Sequence, residues 1–383
     1  QVIFTERCDY MKVIAAIDSF KGSMTSMEAG NAVKKGILAA KPDAEVWLSP
    51  LADGGEGTVD ALIEGLGAKK IPVTVTGPLG EKVSCYYGFL EETKSAVMEM
   101  ASAAGITLVT KKDPLRASTY GVGEMIADAL KRGCKNFMIG IGGSATNDGG
   151  IGMLKALGFE FFDEDGNDVG EGAAALAKIE VIRTENKNPL LSGAKFQIAC
   201  DVKNPLCGKQ GATYIFGSQK GVTEEQKDQI DEAMRHYADV TKESLDCDFA
   251  DCEGAGAAGG LGYAFLSYLA GELIPGVELI LQATGLEEKM KNADVVVTGE
   301  GRLDAQTVMG KAPAGVAALA KKYNAKVIAF AGSVASEAKV CNRAGIDAFF
   351  PIVRGVTTLE EAMKKENAME NIAATAEQVF RLL

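Results

Sequence analysis

Short continuous apolar runs alternate along much of the chain with stretches in which apolar residues recur every three or four positions. KVIAAI, residues 12–17, reads as a strand buried on both faces. A helix is predicted over 26–40, with Met27, Ala29, Val33, Ile37 and Leu38 on one side. The strand EVWLSP, the Gly-rich turn LADGGEG and a helix over 58–66 follow. The C-terminal part repeats this rhythm. ADVVVTGEG reads as strand and turn, a helix begins near Pro313, and KVIAFAGS, a helix, AFFPIV and a final helix come after. Such alternation implies a parallel sheet covered by helices on both faces.

The middle has a different pattern. Residues 71–100 alternate in strand fashion around turns at GPLGEK and LEETKS. Two further strand-like runs lie within 195–216, and helices are expected over 119–132, 223–245 and 259–272. The fold class predicted is therefore α/β. A discontinuous Rossmann-like parallel-sheet domain, 11–70 and 285–383, carries an inserted α+β domain, 71–284. Residues 1–10 precede the first strand and read as an extension outside the fold.

Composition narrows the function. The net charge of -12 argues against a broad surface for nucleic acid or anionic membrane. No apolar run reaches the roughly 18 residues of a spanning helix, and a cytoplasmic location is expected. The eight cysteines form no CxxC pair and there is one histidine, His236, in a polar helical stretch, so a zinc site is not expected.

Chemistry concentrates in four loops that combine glycine with polar or charged residues: DSFKGS (18–23), DGGEG (53–57), IGIGGSATNDGG (139–150) and TGEGRLDAQTVMGK (298–311). Three follow parallel strands, and ligands of open α/β sheets collect beyond the carboxyl ends of the strands. A single loop of this kind is equally well a tight turn with a helix cap. Four of them, with Lys21, Arg302 and Lys311 beside several carboxylates, are suited to phosphoryl transfer. Cations and N–H groups hold phosphate oxygens, carboxylates hold Mg²⁺, and one carboxylate accepts the proton of the attacking hydroxyl. Two familiar signatures fit poorly. GIGGSA (140–145) matches GxGxxA, which would make the chain a nicotinamide-dependent hydroxy-acid oxidoreductase, but the helix is delayed by five more residues. Gly310-Lys311 ends like a P-loop, yet Ala312 stands where Ser or Thr should bind magnesium. Asp201, in ACDVKNPLCGKQGA, reads equally as a metal ligand or a turn cap. EGAGAAGGLGYA (253–264) reads as a close packing surface or an anion-binding helix entry.

Taken together, DSFKGS, LADGGEGTVDAL, VTGPLGEKV, DPLRASTYGVGE, IGIGGSATNDGGIGML, ACDVKNPLCG, GAGAAGGLG and VVVTGEGRLDAQTVMGKAP resemble the bacterial type I glycerate kinase family of glyoxylate and sugar-acid catabolism. The resemblance runs from about Met11 to the C-terminus, with Ile17 where the family usually has proline. It implies ATP-dependent phosphorylation of D-glycerate, at the 2-hydroxyl in preference to the 3-hydroxyl. It also implies two α/β domains with the active-site cleft between them. ATP, Mg²⁺ and D-glycerate are the expected small-molecule partners.

Residue roles come from the chemistry of the loops. Ser144, Thr146 and Asn147, with Asp18 and Ser19, are expected to bind glycerate. Asp148 is the first choice for the proton acceptor and Asp53 the second, with Lys21 assisting transfer. Gly299, Gly301, Arg302 and Lys311 are expected at the nucleotide, and Asp201, Glu300 and Asp304 at the metal. The converse also fits the residues: loop 139–150 would cradle the ATP phosphates, with glycerate held by Asp18, Lys21 and Asp53.

Overall fold

The computed structural model describes residues 10–52 and 58–383. Asp53, with the rest of the DGGEG motif, and residues 1–9 lie outside the described residues. The chain divides into two compact units. Residues 10–52, Glu64–Leu66 and Ile280–Leu383 form the first; residues 58–63 and Gly67–Leu279 form the second.

The first two strands, β1 (Lys12–Ile17) and β2 (Glu45–Pro50), belong to the first unit. The second unit contains β3 (Lys69–Thr76), β4 (Lys82–Leu90), β5 (Ser95–Glu99), β6 (Asn136–Gly140), β7 (Glu160–Phe162), β8 (Val181–Arg183), β9 (Lys195–Ala199) and β10 (Glu272–Ile274). The chain then returns to the first unit as β11 (Val295–Leu303), β12 (Lys326–Val334) and β13 (Ala348–Pro351).

In the first unit the sheet order is β13-β12-β11-β1-β2, and every pair is parallel. Val13, Ala15, Ile17, Val295 and Val297 pack with Val33 and Ile37 of the helix Ser26–Ala40 and with Ile372 of the helix Lys365–Phe380. The first of these helices starts where the sequence signals it. Thr25 accepts from the Glu28 N–H and Glu28 accepts from the Thr25 N–H, a reciprocal capping box. Numbered within this unit alone, the strand order is 2-1-3-4-5. The order reverses between β1 and β11, so the ligand crevice is expected beyond the carboxyl ends of those two strands.

The second unit is built on a mixed sheet, β10-β9-β6-β5-β4-β3. β3, β4 and β5 pair antiparallel, whereas β5, β6, β9 and β10 pair parallel. β7 and β8 form a separate antiparallel pair. Phe137 of β6 stacks on Phe196 of β9 at 4.8 Å in the core.

Two sequence expectations differ from the structure. The second strand-like run within 195–216 is a helix, Ala212–Phe216, followed by a 3-10 turn, Ser218–Lys220. The predicted turn at TGEG is still strand: β11 continues through Arg302 and Leu303, paired with Ser333 and Val334 of β12. Glycine and charge weaken strand propensity, but β12 supplies the ladder, and packing overrides local preference.

Candidate functional site

A pocket of about 570 Å³ lies in the first unit at the reversal of strand order. Its polar end combines Asp18, Ser19 and Lys21, which follow β1, with Glu300, Gly301, Arg302 and Asp304 at the end of β11, and Lys311 beyond. Its apolar wall comes from Ile352, Leu359, Met363 and Ala368. Volume and lining are those of a small-molecule site, mainly apolar with a few convergent polar groups.

Local contacts hold these groups in place. The Asp18 N–H donates to the Gly299 carbonyl at 2.9 Å, joining the two strand ends. Ser26 Oγ donates to the Ile17 carbonyl at 2.7 Å and accepts from the Leu51 N–H at 2.9 Å. The Asp18 carboxylate accepts from the Ser19 N–H at 2.7 Å. Asp304 caps the turn Ala305–Val308 by accepting from the Gln306 N–H at 2.9 Å. Glu300 is buried. It accepts from Thr307 Oγ1 at 2.7 Å and from Lys311 Nζ at 3.4 Å. Burial raises its carboxyl pKa, against the opposing pull of Thr307 and Lys311. Lys311 Nζ is also 3.9 Å from Asp304, and Arg302 Nε is 3.6 Å from the same carboxylate.

The two glycines expected at the nucleotide differ in kind. A Cβ at Gly299 would stand 2.1 Å from the Phe330 carbonyl oxygen, so that glycine serves the close approach of β11 to β12. At Gly301 the nearest atom is 3.9 Å away, and the bare backbone faces the pocket. Among the described residues no group of three or more His, Cys, Asp or Glu side chains is disposed as a metal cage. Glu300 and Asp304 fit a different arrangement, in which Mg²⁺ is held by one or two carboxylates together with substrate phosphates and water. Asp201, in the second unit, accepts from the N–H of Gly276, the first residue of the helix Gly276–Ala283. This contact ties Asp201 to the start of a helix remote in sequence.

In the second unit, loop 139–150 is enclosed more deeply than its composition implies. Thr146, Asn147 and Asp148 have no exposed surface, and Ser144 is buried. Asp148 Oδ2 accepts from the Thr119 N–H and Oγ1, each at 2.8 Å, and from the Gly152 N–H at 3.3 Å. Its Oδ1 accepts from the Gly150 N–H at 3.2 Å. Burial raises its pKa, and these donors oppose the rise. A proton acceptor must reach the substrate hydroxyl, and in this geometry Asp148 faces only groups of the fold. The Asn147 amide donates to Thr213 Oγ1 at 3.0 Å. The side chains of this loop that were expected to hold glycerate, Ser144, Thr146 and Asn147, thus point inward, and Gly142 and Gly143 are the part of the loop that is exposed.

GAGAAGGLG is the packing surface beneath this loop. Ala258, Gly259 and Gly260 adopt left-handed backbone, and the Gly259 carbonyl accepts from the Gly149 N–H at 2.9 Å. A Cβ on Gly259 would lie 2.1 Å from the Thr146 carbonyl oxygen. The helix after the loop starts at Ile151, with ten residues between it and the last residue of β6. No dinucleotide turn of the GxGxxA kind forms there.

One residue of this region was not visible in any motif. Lys220 is buried, and its Nζ donates to Ser144 Oγ at 2.7 Å and to the Thr146 carbonyl at 2.6 Å. The only hint in the sequence is a lysine between glycines, GSQKG.

No helix of the described residues is long and apolar enough to cross a membrane. Residues 13–383 match the model of the glycerate kinase family. The chain is 45% identical to the glycerate kinase of Bacillus subtilis, covering 96% of this chain and 97% of that protein. It is 44% identical to the glycerate 2-kinase of Escherichia coli, covering 95% and 98%. A crystal structure described as a glycerate kinase 2, from Salmonella typhimurium LT2, superposes with a TM-score of 0.90 at 42% identity, covering 97% of this chain and 98% of that one. With a pocket at the strand-order reversal and a family match over nearly its whole length, the chain belongs to the glycerate kinase family.

Proposed function

We propose that the chain transfers the γ-phosphoryl group of ATP to the 2-hydroxyl of D-glycerate, giving 2-phosphoglycerate and ADP, in the cytoplasmic catabolism of glyoxylate and sugar acids. The observation that carries the donor assignment is the two-part pocket of the first unit. Its volume far exceeds what a three-carbon acid needs. Its apolar wall suits a base, and its polar end holds three cations and three carboxylates. The name of the Escherichia coli relative supports the 2-position.

In this reading Lys21, Arg302 and Lys311 meet the phosphate oxygens, and the bare backbone at Gly301 lets them come close. Glu300 and Asp304 would hold Mg²⁺ on the phosphates. When bound, the ion neutralises charge on the transferring group. The attacking hydroxyl must stand in line with the γ-phosphorus, so its proton acceptor belongs beside the phosphate end of the pocket. Asp18, a carboxylate lining that end, is the proposed acceptor. The exposed Gly142–Gly143 backbone is proposed to offer N–H donors to the glycerate carboxylate. Measuring ADP release with and without D-glycerate tests the reaction. Turnover that depends on D-glycerate and on magnesium is expected, and ADP release indifferent to D-glycerate would overturn the assignment.

A further inference from the structure

Lys220 lies in the 3-10 turn Ser218–Lys220 and is 2% exposed. Lysine is almost never so enclosed unless it is paired. Both of its hydrogen bonds end on one short stretch, at Ser144 Oγ and the Thr146 carbonyl. The neighbouring positions are braced as well. Asn147 is held by Thr213, and Asp148 by Thr119, Gly150 and Gly152. Within the same stretch Thr146 Oγ1 and Asn147 Oδ1 are buried without a hydrogen-bond partner among the described residues. Unsatisfied buried polar atoms are costly, and stretches that carry them persist only where surrounding contacts fix them. The side-chain braces therefore gather at 144–148, next to the exposed Gly142 and Gly143, while on the backbone the Gly143 carbonyl accepts from the Ile106 N–H and the Ala145 N–H donates to the Ala104 carbonyl, each at 2.9 Å.

We propose that Lys220 is a positioning residue for the kinase reaction: by fixing Ser144 and Thr146 it holds the exposed Gly142–Gly143 edge in one geometry for an anionic group of the substrate. The proposal rests on the reading that this edge meets the glycerate carboxylate. Burial pushes the Lys220 ammonium down to about 7, against the attraction of the Asp148 carboxylate.

The test compares Lys220→Met and Lys220→Arg with the wild type in steady-state kinetics with ATP and D-glycerate. Circular dichroism confirms that each variant is folded at the assay temperature. Lys220→Met is expected to raise KM for D-glycerate on the order of 10- to 100-fold, the scale on which small displacements matter in a positioned site. KM for ATP should change much less, and Lys220→Arg should recover part of the loss. A rise in KM for ATP alone would sustain the positioning role and overturn the glycerate reading of the loop. Unchanged KM for both substrates with only a lower melting temperature would overturn the proposal and leave Lys220 a core lysine. If Lys220→Met does not fold, Ser144→Ala removes one acceptor while keeping the lysine. The same KM should rise, and an unchanged value would contradict the proposal.

Discussion

Replacing Asp148 by asparagine separates a chemical from a structural carboxylate. The side chain accepts four hydrogen bonds, three at Oδ2 and one at Oδ1, and has no exposed surface. An asparagine with its oxygen at the Oδ2 position keeps the two bonds from Thr119 and the one from Gly152. Its NH₂ then faces the Gly150 N–H, donor against donor. One buried unsatisfied group of this kind costs about 1–3 kcal/mol. The lost charge adds less than a buried unpaired ion would, because Lys220, with a pKa of about 7, can release its proton near neutral pH. For a unit of this size about 1–3 kcal/mol lowers the melting temperature by roughly 2–12 °C. Differential scanning calorimetry measures that shift. At a temperature where the variant is folded, kcat should stay within about tenfold of wild type, short of the 10²–10⁴-fold typical of losing a general base. A wild-type melting temperature with kcat reduced a hundredfold or more would refute the reasoning and return Asp148 to the chemistry.

Other consequences are equally direct. Lys311→Ala should raise KM for ATP and lower kcat, together on the order of 10²-fold in kcat/KM, and Lys21→Ala should cost more than the exposed control Lys35→Ala; equal activity of the Lys21 and Lys35 variants in the ADP-release assay would remove Lys21 from the site. Asp304→Asn and Glu300→Gln should each raise the magnesium concentration needed for half-maximal rate, and unchanged titrations in both would remove these carboxylates from the metal. Gly259→Ala combines a φ of +69° with a Cβ 2.1 Å from the Thr146 carbonyl oxygen, so it should lower the melting temperature clearly; an unshifted transition would contradict the packing role of that glycine. Lys220 has its folded pKa lowered from 10.5 to about 7, so the unfolded chain binds more protons between these values. Its contribution to stability therefore grows as pH rises through that window and is lost as pH falls towards 7. The melting temperature of the wild type should gain on that of Lys220→Met between about pH 7.5 and 9.5, and parallel curves would contradict the lowered pKa of the buried lysine.

Much of the first unit was legible because its signals are local. Lys12–Ile17 is one apolar run, and Thr25 with Glu28 marks the start of the next helix. The clustering of Asp18, Lys21, Glu300, Arg302, Asp304 and Lys311 followed from the parallel-sheet rule, since all lie at or beyond strand ends. What was not legible depends on partners remote in sequence. The end of β11 is strand because β12 lies beside it. Gly299 is needed by the Phe330 carbonyl, which no local pattern reveals. Loop 139–150 has the composition of an exposed site, but Thr119, Thr213 and Lys220 turn its side chains inward. Residues 212–216, ATYIF, carry β-branched and aromatic side chains yet are helical, a preference that packing overrode.

Phosphorus NMR of the product formed from ATP and D-glycerate tests the central claim most directly. Phosphate on the 2-oxygen neighbours a single C–H proton, and its resonance should split into a doublet. Phosphate on the 3-oxygen neighbours a CH₂ group and would give a triplet. The account predicts the doublet of 2-phosphoglycerate growing with the ADP signals. A triplet alone, or no new phosphate ester, would contradict it.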